Sequence, residues 1–112
     1  MQIEVALADD VARVKLRGRL DTHGADEIET KFTASVVPGG RKTVVDLSEV
    51  SFISSMGLRM FIAIAKALKR HGGGMALFAP QPQVSDVFAL ASLSAVVPIV
   101  GDEAEAVGVV TA

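Results

Sequence analysis

Thr43 to Gly74 reads TVVDLSEVSFISSMGLRMFIAIAKALKRHGGG. Thr43 to Leu47 is a short β-branched run, the pattern of a central strand buried on both faces. From Leu58 the period changes. Leu58, Phe61, Ile62, Ala65 and Leu68 recur at helical spacing and define one apolar face, with Arg59, Lys66 and Arg70 opposite. Ser54 and Ser55 precede this helix as candidate N-caps, because a serine oxygen can accept from a free N–H of the first turn. Lys69, Arg70 and His71 fall in its last turn, where the dipole favours positive charge, and Gly72 to Gly74 end it. A strand that passes straight into a helix is part of an alternating α/β pattern, so the flanking segments should continue the alternation.

They do. Downstream, Met75 to Ala79 is another apolar strand. Pro82 can open a helix at its first position, and Val84, Val87, Phe88 and Ala91 give that helix its buried stripe. Ala95 to Val100 reads as a last strand, pushed to the sheet edge by Pro98, which has no N–H to donate. Asp102 with Glu105 resembles a capping box that opens a short terminal helix. Upstream, Ala25, Ile28, Phe32 and Val36 define an amphipathic helix over about residues 23–36, with Asp26 and Glu27 in its first turn and Pro38, Gly39 and Gly40 stopping it. Ile3, Val5 and Leu7 alternate with Gln2, Glu4 and Ala6. Asp9 and Asp10 mark a turn, and Ala12, Val14 and Leu16 then alternate with Arg13, Lys15 and Arg17. These two segments form a β-hairpin with one wet face, on which the basic stripe is expected to be solvated.

The order β-β-α-β-α-β-α-β-α predicts one α/β domain over residues 1–112: an N-terminal hairpin, then alternating strands and helices, with a mixed sheet packed by about four helices. Val14, Leu16, Phe32, Val44, Val45, Leu47, Phe61, Ile62, Leu77 and Phe88 are the expected core.

Composition narrows the function. The net charge is −2, from 11 basic and 13 acidic side chains, with no Trp or Tyr and five Phe. This is neither the basic footprint nor the stacking platform of a nucleic-acid binder. The absence of Cys excludes disulfides, thiolate metal sites and a Cys nucleophile, and fits a cytoplasmic location. Mean hydropathy is +0.44. Yet the longest uncharged run, Val87 to Gly101, holds Ser92, Ser94 and Pro98 and is shorter than the ~20 residues of a spanning helix. The first ten residues carry acid where a signal peptide carries Lys or Arg. Membrane insertion is therefore not expected, and the apolar excess is assigned to buried parallel strands.

The catalytic inventory is thin. His23 and His71 are the only histidines; His71 reads as a helix-end charge, and His23 stands near a helix start close to Asp21. No metal-ligand spacing is visible. The segment Ile53 to Gly57 lacks the first glycine of a Gly-x-Ser-x-Gly elbow. No glycine-rich phosphate loop follows a strand, and Gly72 to Gly74 precede one. Neither a metal nor a cofactor is expected. One constellation remains: the strand ends in Asp46, Leu47 and Ser48, and the chain passes through Val50 and Phe52 into Ser54, Ser55, Met56 and Gly57, at a helix N-terminus. Ligands and partners of open α/β sheets gather at the carboxyl ends of strands. A phosphate on a serine there would meet free N–H groups and the positive end of the dipole. A plain N-cap serine is the alternative, and the residues alone leave both open.

Val44 to Leu58, VVDLSEVSFISSMGL, resembles the signature of the STAS domain, the fold of bacterial anti-sigma factor antagonists. Gly18, Arg19, Leu20 and Asp21 match that family's Gly-x-Leu/Ile-Asp after the second strand. Gly72, Gly73 and Met75 to Leu77 match its Gly-Gly-then-strand region, and Gln81 to Phe88 resembles its third helix. The resemblance implies a regulatory protein that is not an enzyme. Unphosphorylated, it binds an anti-sigma factor serine kinase and so releases a sigma factor. The kinase then phosphorylates it, and a phosphoserine phosphatase restores it. Aligning Phe52, Gly57 and Leu58 puts Ser55 at the phosphoacceptor position, with Ser54 where Asp is frequent and Met56 where a smaller residue is frequent. The implied partner surface comprises Asp21, Thr22, Ser54, Met56, Gly57 and Arg59. Two other readings stand beside it. One is a STAS subunit of a membrane lipid or anion transporter complex, without a phospho-switch. The other is a small enzyme using Ser55 as nucleophile, for which a paired His or Lys base is missing.

Overall fold

The computed structural model describes residues 1–112. Strand β1 (Gln2–Ala8) turns at Asp9 and Asp10 into β2 (Val11–Leu20), followed by α1 (Thr22–Val36), β3 (Lys42–Ile53), α2 (Ser55–Arg70), β4 (Gly74–Phe78), α3 (Pro82–Leu90), a short 3-10 turn (Leu93–Ala95), β5 (Ile99–Val100) and α4 (Glu103–Thr111). The sheet has the order β1-β2-β3-β4-β5. The β1–β2 pair is antiparallel, and every other neighbour is parallel. The expected hairpin, mixed sheet and four helices are all present.

The sheet is sandwiched. Because side chains alternate along a strand, Ala12, Val14 and Leu16, with Val45, Leu47 and Leu77, face α1, α2 and α3 and form a core with Phe32, Phe61 and Phe88. Val11, Val44, Ala76 and Phe78 face the other way and are covered by Ala106 and Val110 of α4. This is why the central strands read as unbroken apolar runs. The hairpin turn places Asp9 at φ 54 and Asp10 at φ 65, and Ala8 pairs with Val11 across it. Two consecutive positive φ values in a two-residue loop match the strand twist, a geometry usually filled by Asn-Gly.

Several expectations need correction. The β3 strand does not end near Leu47; it continues to Ile53, paired with β2 as far as Leu20↔Ile53. Helix α1 begins at Thr22 with Asp21 as its N-cap, which puts Asp26 and Glu27 beyond the first turn. The buried stripe of α2 is Gly57, Met60, Phe61, Ile64 and Leu68. Ile62 is half-buried at the margin of that stripe. In α3, Val84 and Phe88 are buried and Ala91 is exposed. The last strand shrinks from Ala95–Val100 to Ile99–Val100, because the chain coils into the 3-10 turn and only Ile99 and Val100 pair with Leu77 and Phe78. The basic stripe of β2 is also not simply solvated. Since β2 lies inside the sheet, Arg13, Lys15 and Arg17 are half-buried and ion-paired.

Candidate functional site

Strands β2 and β3 run past the rest of the sheet. Pairing of β3 with β4 stops at Asp46↔Phe78, whereas its pairing with β2 goes on to Ile53. The two strands therefore form a projecting tongue, and each hands the chain directly to a helix. The Ser54 N–H donates to the carbonyl of Leu20 at 2.9 Å, so the starts of α1 and α2 lie side by side. Asp21 caps α1, its Oδ1 accepting from the Gly24 N–H at 2.7 Å. Ser54 caps α2, its Oγ accepting from the Gly57 N–H at 3.3 Å. Each oxygen satisfies one of the orphan donors of a helix first turn.

Close approach of these helix starts depends on two glycines. A Cβ on Gly57 would lie 2.8 Å from Leu20 Cγ and 3.0 Å from Ile53 Cγ1. A Cβ on Gly24 would lie 2.2 Å from the Arg19 carbonyl oxygen. Gly57 is buried, so what it contributes here is packing. Gly24 was not singled out from the sequence, where a helical glycine carries no sign of what it touches.

The remaining site residues are accessible. Ser55 is the first residue of α2 and exposed; Thr22 and Arg59 are exposed, and Ser54 and Asp21 are half-exposed. Met56 and Phe52 are among the large apolar side chains left in solvent. The Arg19 guanidinium stacks over the Phe52 ring at 4.3 Å and reaches Asp21 at 3.8 Å. Cation–π stacking of this kind was not anticipated from the sequence; it arises because Arg19 and Phe52 are cross-strand partners in the tongue. His23 is exposed and lies 3.8 Å from Glu27.

On the face carrying α4, the tongue continues into a charge ladder. Arg17 bonds to Glu4 and to Glu49, the latter at 2.9 Å, and Lys15 meets Glu49 at 2.9 Å. The hydrogen bond to Lys15, then that to Arg17, holds the Glu49 carboxyl below the usual range. Its bond to Glu49 raises Lys15, and bonds to Glu49 and Glu4 raise Arg17. Beside the ladder lies an open cleft of about 300 Å³ with Val44 and Phe78 as apolar lining and Arg13, Lys15, Asp46 and Glu103 as charged lining. Both signs are present, and no three acidic or imidazole side chains converge as metal ligands. No helix is long and apolar enough to cross a membrane.

A five-stranded mixed sheet with four helices, two of them starting side by side at the end of the β2–β3 tongue, defines a class of small α/β domain, and comparison with known proteins names it. The STAS domain model matches residues 2–106, and the chain belongs to that family. A relative from Bordetella bronchiseptica, named "Putative anti-sigma factor antagonist BtrV", is 30% identical over 99 residues, covering 88% of this chain and 85% of the relative. The crystal structure of an anti-sigma factor antagonist from Mycobacterium paratuberculosis superposes with a TM-score of 0.87 at 26% identity, covering 99% of this chain and 94% of that one. The antagonist SpoIIAA in its unphosphorylated form has the same fold, with a TM-score of 0.80 at 22% identity over 98% of this chain and 96% of that one. SpoIIAA has also been solved in a phosphorylated form, which matches at a TM-score of 0.70, 21% identity and coverage of 97% and 99%.

Proposed function

We propose that this chain is an anti-sigma factor antagonist whose partner binding is switched by phosphorylation of Ser55. The observation that carries the reading is the division of labour between the two serines. Ser54 already spends its oxygen on the Gly57 N–H, while Ser55, one residue on, is exposed at the head of the helix. A cap needs one serine; the second is available to a kinase. In the unphosphorylated state, Asp21, Thr22, Ser54, Met56 and Arg59 present a mixed apolar and charged surface to an anti-sigma serine kinase, and Gly57 lets α2 sit close enough to the tongue for that surface to be continuous.

Phosphorylation adds about −1.5 to −2 charge and three acceptor oxygens. The α2 N-terminus tolerates that charge within the free protein. A partner packed over the same spot would have to desolvate it next to Asp21, which costs affinity. The fold need not change, because differential affinity alone moves the equilibrium between partners. A phosphoserine phosphatase returns the chain to its binding state.

The test is a binding titration with anti-sigma kinases from the same organism. Unphosphorylated protein and Ser55→Ala should bind one of them, and Ser55→Asp should bind more weakly. Equal binding of Ser55→Ala and Ser55→Asp would count against a charge switch at this position.

A further inference from the structure

The outer edge of the tongue is a structural problem that the protein solves with side chains. Beyond Asp46, β3 has no β4 residue beside it, so its carbonyls on that side lack a strand partner. Two glutamines at the start of α3 take that place. Gln81 Nε2 donates to the Ser48 carbonyl at 2.9 Å, and Gln83 Nε2 donates to the Ser51 carbonyl at 3.3 Å. Gln83 Nε2 also donates to Gln81 Oε1 at 2.7 Å, which ties the pair together. Gln81 occupies the N-cap position of α3 yet makes no capping bond, since its amide is turned to β3 instead.

The tongue is thus held on both edges. One edge is zipped to β2 and ends in the Ser54 N–H bond to Leu20. The other is strapped by Gln81 and Gln83. We propose that Gln81 and Gln83 are positioning residues that pre-order the Ser48–Ile53 segment and so fix Ser54 and Ser55 for the partner. The proposal deepens the Ser55 reading and, for its binding arm, rests on it. The physical reason is entropic: a segment ordered in the free protein does not have to be ordered on binding. The three bonds are solvent-exposed, so they contribute little to global stability and act on local opening.

The experiment uses the full chain with Gln81→Met and Gln83→Met combined, which keeps side-chain length and removes both donors. Hydrogen exchange is read at the Ser54 amide and, as reference, at the Val45 and Leu77 amides. Loss of the two modest bonds to β3, with the third between the glutamines, should speed exchange at Ser54 roughly fivefold to tenfold and leave the reference amides unchanged. With the cognate kinase, KM for the variant should rise by a similar factor while kcat stays near the wild-type value. Unchanged exchange at Ser54 overturns the brace. Faster exchange with an unchanged KM also overturns the positioning role, leaving only a structural strap. Tighter kinase binding overturns it too, and means that the glutamines cover a strand edge the partner uses. Wild-type protein that no kinase phosphorylates refutes the Ser55 reading, and the exchange arm still decides the brace. If the double variant fails to fold, Gln83→Met alone is measured in the same way.

Discussion

Replacing Gly24 by alanine should destabilise the protein even though alanine is the better helix former. The added Cβ would sit 2.2 Å from the Arg19 carbonyl oxygen and 3.3 Å from Asp21 Oδ1. The Arg19 oxygen is backbone, fixed in a strand paired with β3, and cannot swing aside as a side chain would. In an unobstructed helix the same change gains about 1 kcal/mol. Overpacking against a fixed neighbour costs about 1–3 kcal/mol, and a contact this short belongs at or above the top of that range. The net loss should be about 2 kcal/mol, or a fall of about 8 °C in Tm for a chain of 112 residues. Gly108, inside α4, supplies the control, because nothing lies within 4 Å of its Cβ position. Gly108→Ala should stabilise by about 0.5–1 kcal/mol. Thermal melts followed by far-UV circular dichroism measure both. A Gly24→Ala variant melting at or above wild type, with Gly108→Ala behaving as a free helical position, would refute the claim that α1 starts in contact with the tongue.

Phe61 is fully buried and meets Phe88 edge-on at 6.4 Å, so Phe61→Ala should cost about 3–5 kcal/mol in denaturant titrations. Ser92 is held at φ 53 and ψ 38, in the left-handed region that disfavours a Cβ, so Ser92→Gly should raise stability by about 0.5–1 kcal/mol despite the greater freedom of glycine when unfolded. Glu49 has a carboxyl pKa held down by Lys15 and then Arg17. Its stabilising contribution is therefore present above the ordinary Glu pKa and is lost as pH falls through the lowered folded value. Glu49→Gln should flatten that part of the stability–pH curve, and added salt should shrink the difference from wild type, because Glu49 itself is exposed to solvent.

The alternation of strands and helices was legible because burial on both sheet faces forces unbroken apolar runs at Val44, Val45 and Met75 to Phe78, while the one-sided helices show a 3.6-residue period. The tongue was not. Beyond Leu47 the β2–β3 register shifts between Lys15 and Arg17, and again between Gly18 and Arg19, so period-two reading fails where the strand in fact continues. Ile62 falls within the helical spacing of a core position, yet the neighbouring stripe through Met60 and Ile64 is the buried one. Ala95 to Val97 read as strand from apolarity alone, whereas the local hydrogen bonds to Ser92 and Leu93 wind them into a turn. At the site, Ser54, Ser55 and Asp21 were legible as residues that suit helix starts. Which serine caps, that Gly57 is buried against Leu20, and that Arg19 stacks on Phe52 depend on how two strands and two helices meet. A single sequence carries no pairwise information of that kind.

Phosphopeptide mass spectrometry after reaction with ATP and the cognate anti-sigma kinase locates the switch residue by residue. One phosphate is expected, on Ser55, with Ser54 unmodified because its oxygen is engaged at the Gly57 N–H. Ser55→Ala should then remain folded and take up none. Phosphate on Ser54 with Ser55 clean would contradict the division of labour between the two serines, and no phosphate on either, with the kinase bound, would contradict the switch itself.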